Sequence, residues 1–248
     1  MIFITGDVHA THDIGKLSYL NFPESKNLTP DDFVVILGDF GIPFLDKKLM
    51  QERGSLKEYE ILTKMLTEKP YTILFIDGNH ENFNFWDAQE ITEKWGGKVQ
   101  HHPDIPNAYR LMRGEIYEID GHKIFTFGGA VSMDKEYRTL NVSYWTQEQA
   151  TEDQIEHARE NLKKHNNTVD FIFTHTMPLE LIIKHGYNPV SDRGAEYFDE
   201  ILHTVNYKEW RCGHFHVDEI IEEYHLHMMY NQIERLDNTE SSEINNRI

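Results

Sequence analysis

The chain has 248 residues, and 24 Lys and Arg against 42 Asp and Glu give it a formal net charge of −18. This excess of acidic residues argues against a surface that binds long nucleic acid or an anionic membrane, because such surfaces need clustered Lys and Arg. A hydrophobic content of 39% predicts a folded protein and excludes a disordered acidic chain.

The sequence also limits the compartment and the number of domains. Cys212 is the single cysteine, so an internal disulfide is excluded and a reducing compartment fits. No apolar stretch approaches the roughly 18 residues of a membrane helix, and the N-terminus lacks the features of a signal peptide, so we expect a cytoplasmic protein. Without a linker or an internal repeat, we predict one domain over residues 1–236 and a flexible C-terminal tail over residues 237–248.

Short apolar runs recur along the chain, and polar residues follow each of them. The runs are residues 1–5 before Gly-Asp-Val-His, 33–37 before Gly-Asp-Phe-Gly, 71–76 before Asp-Gly-Asn-His-Glu, 123–127 before Gly-Gly-Ala, 170–174 before His175, and 208–212 before Gly-His-Phe-His. Continuous apolar runs of this length predict strands that are buried on both faces. Helical periodicity over residues 56–66, 155–162 and 198–205 separates several of them. This alternation predicts an α/β fold with its ligands at the carboxyl edge of the sheet.

Two segments depart from the alternation. Residues 115–119 and 123–127, joined by Asp120-Gly121, predict a β-hairpin. Residues 217–233 alternate loosely and predict further antiparallel strands. We therefore expect a mixed sheet.

The polar residues at the strand ends share one chemistry. They are Asp7, His9, Asp39, Asn79, His80, His175, His214 and His216. Carboxylates and imidazoles without a nearby thiolate suit a first-row divalent metal such as manganese, iron, zinc, cobalt or nickel. In Asp7-x-His9 and His214-x-His216, the i and i+2 spacing places both side chains on one side of an extended backbone. Both side chains of each pair could therefore point toward one common site.

The ordered blocks GDVH, GDFG, GNHE, TH and GHFH resemble those of the calcineurin-like metallophosphoesterase superfamily over residues 6–216. The resemblance implies an α/β fold in which a two-sheet mixed β-sandwich is flanked by helices in four layers. It also implies two divalent metal ions, drawn from manganese, iron, zinc or nickel, with manganese favoured. One ion would be held by Asp7, His9, Asp39 and His216, and the other by Asp39, Asn79, His175 and His214, with Asp39 bridging. His80 resembles the family's catalytic histidine, which is not a metal ligand.

Two metal ions roughly 3.5–4 Å apart can clamp phosphoryl oxygens and supply a metal-bound hydroxide in line with the leaving group. Because most of the predicted ligands are neutral, the metal pair would keep a local positive charge that attracts phosphate. We therefore expect a hydrolase that acts on a small phosphorylated substrate, despite the net charge of −18.

The sequence departs from the family pattern in ways that narrow the substrate. Many relatives carry a carboxylate that orients the catalytic histidine at the position of Ile42, and Asp46, Asp77 or Glu81 could replace it. The chain also lacks two arginines of the protein-phosphatase branch. We therefore predict a phosphomonoesterase or phosphodiesterase for a small or nucleotide-type substrate. The alternatives are a Ser/Thr protein phosphatase or a nuclease with the same metal centre, and a catalytically silent interaction module.

Two arginines are candidates for gripping the substrate phosphate. The predicted hairpin places Arg113 near the carboxyl end of its second strand, and Arg138 follows in the loop after that strand. An arginine guanidinium can hold phosphate through two parallel hydrogen bonds. We therefore expect Arg113 and Arg138 to contact the substrate.

Overall fold

Two β-sheets form the centre of the protein, which is described here from a computed structural model covering residues 1–236. The tail predicted for residues 237–248 lies outside the described residues. The strands of the first sheet are β1 (Ile2–Thr5), β2 (Phe33–Ile36), β3 (Thr72–Phe75), β4 (Ile91–Lys94), β5 (Gly97–His101), β6 (Ala108–Leu111) and β13 (Ile233–Arg235). Those of the second are β7 (Glu115–Ile119), β8 (His122–Phe127), β9 (Phe171–Thr174), β10 (Glu209–Cys212), β11 (Glu219–Ile221) and β12 (Leu226–Met228).

Both sheets are mixed, as predicted. The first has the order β13-β1-β2-β3-β6-β5-β4, in which β1, β2, β3 and β6 are parallel, β13 and β5 run antiparallel to them, and β4 runs antiparallel to β5. The second has the order β11-β12-β10-β9-β8-β7. The predicted hairpin is β7 and β8. In the segment predicted as antiparallel, β11 pairs antiparallel with β12 and β13 pairs antiparallel with β1. The prediction missed that β12 also pairs parallel with β10.

The described helices cover the outer faces of the two sheets. They are α1 (Lys47–Arg53), α2 (Leu56–Thr67), α3 (Phe83–Asp87), α4 (Glu152–Lys164), α5 (Leu179–Lys184) and α6 (Arg193–Thr204). Thr151 caps α4, where its side chain accepts from the Gln154 amide and the Gln154 side chain accepts from the Thr151 amide. Among residues 1–236, none of the helices has the length and apolar character needed to cross a lipid bilayer.

Alternate residues of the parallel strands face different cores. In β1, Ile4 packs in the core between the two sheets with Phe173, whereas Phe3 packs in the core that includes Leu62 of α2. A third core joins the second sheet to α4 and α6. Burial on both faces explains why these strands are continuously apolar. The layers are therefore helix, sheet, sheet and helix, which confirms the predicted fold.

Candidate metal centre

Loops at the carboxyl ends of five strands supply the predicted metal ligands. The structure brings these side chains together at one edge of the two sheets. They are Asp7 and His9 after β1, Asp39 after β2, Asn79 after β3, His175 after β9, and His214 and His216 after β10. Residues more than 200 positions apart in the sequence thus lie side by side, as in the hydrogen bond from the His214 amide to Asp7 Oδ1 at 3.0 Å.

Asp39 lies between two groups of ligand atoms. Its Oδ2 is 3.2 Å from His9 Nε2, and its Oδ1 is 3.5 Å from His175 Nε2. His175 Nε2 also lies 3.1 Å from Asn79 Oδ1. Asp39 therefore has one carboxylate oxygen directed at each group, which is the placement that a bridging ligand needs.

The remaining ligands complete the two groups. His216 Nε2 lies 3.0 Å from Asp7 Oδ2, and the ring centroids of His9 and His216 are 4.9 Å apart. The His214 ring packs edge-on against His175, with 5.0 Å between the centroids. The seven side chains expected from the sequence therefore lie close to one another, in two groups that meet at Asp39.

Outer hydrogen bonds fix the orientation of two of the histidines. His9 Nδ1 lies 2.7 Å from Asp13 Oδ2, and His175 Nδ1 donates to the Leu37 carbonyl at 2.8 Å. In both residues this leaves Nε2 facing the centre, where it can bind a metal. The sequence analysis did not identify Asp13 as a residue of the site. The only feature of the sequence that points to it is its position four residues after His9.

Several ligands have an unusual backbone conformation. The φ angles of His9, Asp39, His214 and His216 are 45°, 49°, 69° and 52°, in the left-handed region that non-glycine residues rarely adopt. Such strain persists only where the surrounding structure enforces it, and it concentrates at functional sites. Four of the seven candidate ligands therefore combine ligand chemistry with a strained backbone.

Glycine is required beside two of the candidate ligands because the backbone there lies against their carboxylates. A Cβ atom added to Gly78 would lie 2.1 Å from Asp39 Oδ1, and one added to Gly213 would lie 2.2 Å from Asp7 Oδ1. Any larger residue would displace a carboxylate. Close approach of the backbone is thus a requirement of this site.

The centre has a buried negative charge that calls for a cation. Asp7 and Asp39 are buried, and among residues 1–236 no Lys or Arg forms a salt bridge with either of them. Burial alone would raise the pKa of Asp39, but His175 and His9 lower it well below its usual value. Burial opposes protonation of His9 and His175, yet the neighbouring carboxylates raise their pKa values to about 9 and about 10. The site thus stabilises positive charge, and its oxygen and nitrogen donors fit divalent metal ions.

His80 lies beside this centre, with its ring centroid 5.2 Å from that of His9. The guanidinium of Arg138 lies against it, with Nη2 at 3.0 Å from Nε2 and Nη1 at 3.4 Å from Nδ1. Burial lowers the pKa of His80; Asp39 opposes this shift, whereas Arg138 adds to it. The structure thus places both His80 and Arg138 at the edge of the metal centre.

None of the three carboxylates that could replace the one missing at Ile42 is hydrogen-bonded to His80. Asp46 caps α1 by accepting from the Leu49 amide, and Asp77 pairs with two arginines. Glu81 accepts from the amides of Phe40 and Gly41, which follow Asp39, at 2.8 and 3.1 Å. Burial, followed by the charges of Asp39 and Asp77, raises the pKa of Glu81 to about 8. Glu81 therefore supports the Asp39 loop.

The placement of Arg113 does not support its expected contact with phosphate. Its side chain is buried, and Nε donates to Asp77 Oδ2 at 2.8 Å, while Nη2 pairs with the same carboxylate. Nη1 and Nη2 also donate to the Gln149 and Gln147 carbonyls. Because these partners occupy the guanidinium, Arg113 is a structural residue here.

Comparisons with known proteins agree with the geometry of the centre. A search of curated proteins finds no match to this chain. A family model described as calcineurin-like phosphoesterase matches residues 1–218, a range that includes all seven candidate ligands as well as His80 and Arg138. The chain therefore belongs to the calcineurin-like phosphoesterase family.

Proposed function

We propose that the protein is a phosphoesterase that uses two divalent metal ions, with manganese preferred, to hydrolyse a small phosphomonoester or phosphodiester. The observation that carries this proposal is the convergence of seven ligand side chains around Asp39, with His80 and Arg138 beside them. An interaction module that kept only the fold would gain nothing from buried carboxylates held in a strained backbone, because both features cost stability.

The described residues provide a place for each part of the reaction. One ion would be held by Asp7, His9, Asp39 and His216, and the other by Asp39, Asn79, His175 and His214. When bound, a pair of divalent ions polarises the phosphoryl group and increases the acidity of water. The buried position of Asp39 and the hydrogen bond that His9 Nδ1 donates to Asp13 hold the ligands in place before substrate binds.

Arg138 and His80 would act on the substrate directly. The Arg138 guanidinium is a fixed positive charge with donors in a fork, which suits phosphoryl oxygens. Because its pKa is lowered, His80 is largely neutral near pH 7 and has one N–H to donate. That N–H would stabilise charge on the phosphoryl group or on the leaving oxygen.

A substrate panel with three variants tests the proposal. With Mn²⁺ supplied, we expect hydrolysis of 4-nitrophenyl phosphate or its bis-ester in preference to phosphopeptides and oligonucleotides. His80→Ala should lower kcat by roughly 10²–10⁴-fold with metal content unchanged, because it removes a proton donor and leaves the ligands in place. Asp39→Asn should lower the metal content itself. His185→Ala, at an exposed histidine, is the matched control and should behave as wild type.

Each alternative has its own outcome in this experiment. Preferred turnover of phosphopeptides or oligonucleotides would identify a protein phosphatase or a nuclease with the same metal centre. An absence of hydrolysis across the panel with manganese, nickel or iron would identify a silent interaction module. Full activity of His80→Ala would remove His80 from the mechanism.

A further inference from the structure

A cavity of about 360 Å³ opens beside the metal centre and shares His9 and His80 with it. Residues from four segments line it: the loops after β1, β2 and β3, and the pair of helices α1 and α2. Its volume lies at the small end of the range of ligand sites, roughly 300–1,000 Å³. A group attached to a phosphate at the metal centre could therefore extend into it past His80.

The walls of the cavity are mostly apolar. The side chains that form them include Ile42, Phe44, Leu45, Met50 and Leu62. Ile42 contributes an apolar side chain and no charge to the part of the wall formed by the loop after β2. The Tyr59 hydroxyl donates to Asp104, which leaves the ring as its contribution to the cavity.

Apart from His9 and His80, which border the metal centre, the charged and polar side chains that are open to the cavity lie at its exposed rim. No Lys or Arg is among the described residues that line it. Glu58 and His12 are exposed, and Ser55 is partly exposed. A second phosphate or a carboxylate that enters the cavity beyond His9 and His80 would lose its hydration without meeting a Lys or Arg, and it would pass Glu58. The cavity thus disfavours anionic groups.

The wall formed by the loop after β2 is fixed in place. Glu81 accepts from the Phe40 and Gly41 amides, and His102 Nε2 donates to the Ile42 carbonyl at 3.0 Å. Phe44 packs edge-on against the buried Trp145, with 5.7 Å between the ring centroids. A cavity with walls held in this way exists before ligand binds, so an occupant bears little cost for ordering it.

We propose that this cavity receives the leaving group of the substrate and that this group is an uncharged, apolar alcohol. The inference rests on the proposed function, since it assumes that phosphoester hydrolysis occurs at the adjoining metal centre. His80, placed to act at the leaving oxygen, also lines the cavity. The side of the phosphorus that His80 faces is thus continuous with the apolar walls.

A series of n-alkyl phosphates tests the inference, because lengthening the chain beyond ethyl hardly changes the acidity of the leaving alcohol. We expect kcat/KM to rise at least about tenfold from ethyl to hexyl phosphate, since each fully buried methylene is worth about a fourfold gain. A hexyl phosphate with a terminal carboxylate should lose this gain. The substrates should be compared with 4-nitrophenyl phosphate and its bis-ester, which report on hydrolysis itself.

Two substitutions at one wall residue sharpen the test. Leu45→Asp should flatten the dependence on chain length, and Leu45→Lys should shift preference to the carboxylated chain. Leu20→Asp is the matched control, because Leu20 is 88% exposed and lies outside the cavity, and it should keep the wild-type slope.

The outcomes separate the two proposals. Hydrolysis of the nitrophenyl esters with a flat alkyl series would overturn the apolar leaving group and leave the proposed function intact. Failure to hydrolyse any ester would overturn both. If Leu45→Asp and Leu45→Lys keep the wild-type dependence of kcat/KM on alkyl chain length, the alkyl group binds elsewhere. That result would also overturn the assignment of this cavity.

Discussion

A buried carboxylate shared by two arginines anchors the segment that carries Asn79 and His80. Asp77 is fully buried; its Oδ1 accepts from Arg110 Nη2 at 3.0 Å, and its Oδ2 accepts from Arg113 Nε at 2.8 Å. The side chains of the two arginines are only 7% and 3% exposed. Burial would raise the pKa of Asp77, but Arg113 and Arg110 lower it, so the carboxylate is charged at neutral pH.

Asp77→Asn keeps the shape of the side chain but removes its charge, which leaves two buried guanidinium groups without a counterion. Removing one partner of a buried ion pair lowers the free energy of unfolding by about 3–5 kcal/mol. An amide can still accept one hydrogen bond, so we expect a loss near the lower end, about 3 kcal/mol. Since domains of this kind are stable by roughly 5–15 kcal/mol, the loss is a large fraction of the total.

Urea unfolding at neutral pH without added metal measures this loss, because the metal centre then contributes nothing to the difference. The midpoint should fall while the slope m stays unchanged. Asp31→Asn, at an exposed aspartate, is the matched control and should unfold like wild type. If Asp77→Asn lowers the free energy of unfolding by less than about 1 kcal/mol, the two arginines find other partners. That result would refute the stabilising role assigned to the ion pairs of Asp77 with Arg110 and Arg113.

Two further predictions concern Asp13 and His102. Asp13→Asn should weaken Mn²⁺ binding about 10–100-fold in a calorimetric titration, because the carboxylate orients His9; unchanged affinity would contradict that role. Burial lowers the pKa of His102 from about 6.5 to about 4, so the unfolded chain takes up the proton first and stability falls as pH drops from 6.5 to 4, by at most about 3 kcal/mol. The difference in free energy of unfolding between wild type and His102→Gln, measured with urea, should therefore become smaller as the pH falls over this range. A difference that stays constant would refute the lowered pKa of His102.

The positions of the candidate ligands were predictable because strand ends are local features. Buried parallel strands require continuous apolar runs, and the residue that follows each run must emerge at the carboxyl edge of its sheet. The position of a motif directly after an apolar run therefore predicts where it lies in the fold. This holds for Gly-Asp, Gly-Asn-His and Gly-His-x-His. The close contacts at Gly78 and Gly213 explain why these blocks keep glycine beside a ligand.

The residues that surround the candidate ligands and His80 could not be predicted in the same way. Arg113 was expected at the phosphate because the hairpin brings it to the correct edge, yet Asp77, 36 residues earlier, pairs with it in the interior. The partner of His80 was sought among carboxylates, whereas the structure places Arg138 there, 58 residues along the chain. These choices depend on which side chains meet once the sheets have packed.

The sequence by itself determined the layered fold and the metal-binding chemistry, because hydrophobic period and motif spacing act within a few residues. Only the tertiary structure decided how the remaining charges pair and where an apolar cavity opens beside His80. Ile42 shows the difference: its sequence position indicates only a missing carboxylate, whereas the structure places it in the apolar wall of the cavity beside His80. Pairing of charges and formation of cavities depend on distances between segments that are remote in the chain, and the packing of the two sheets sets those distances.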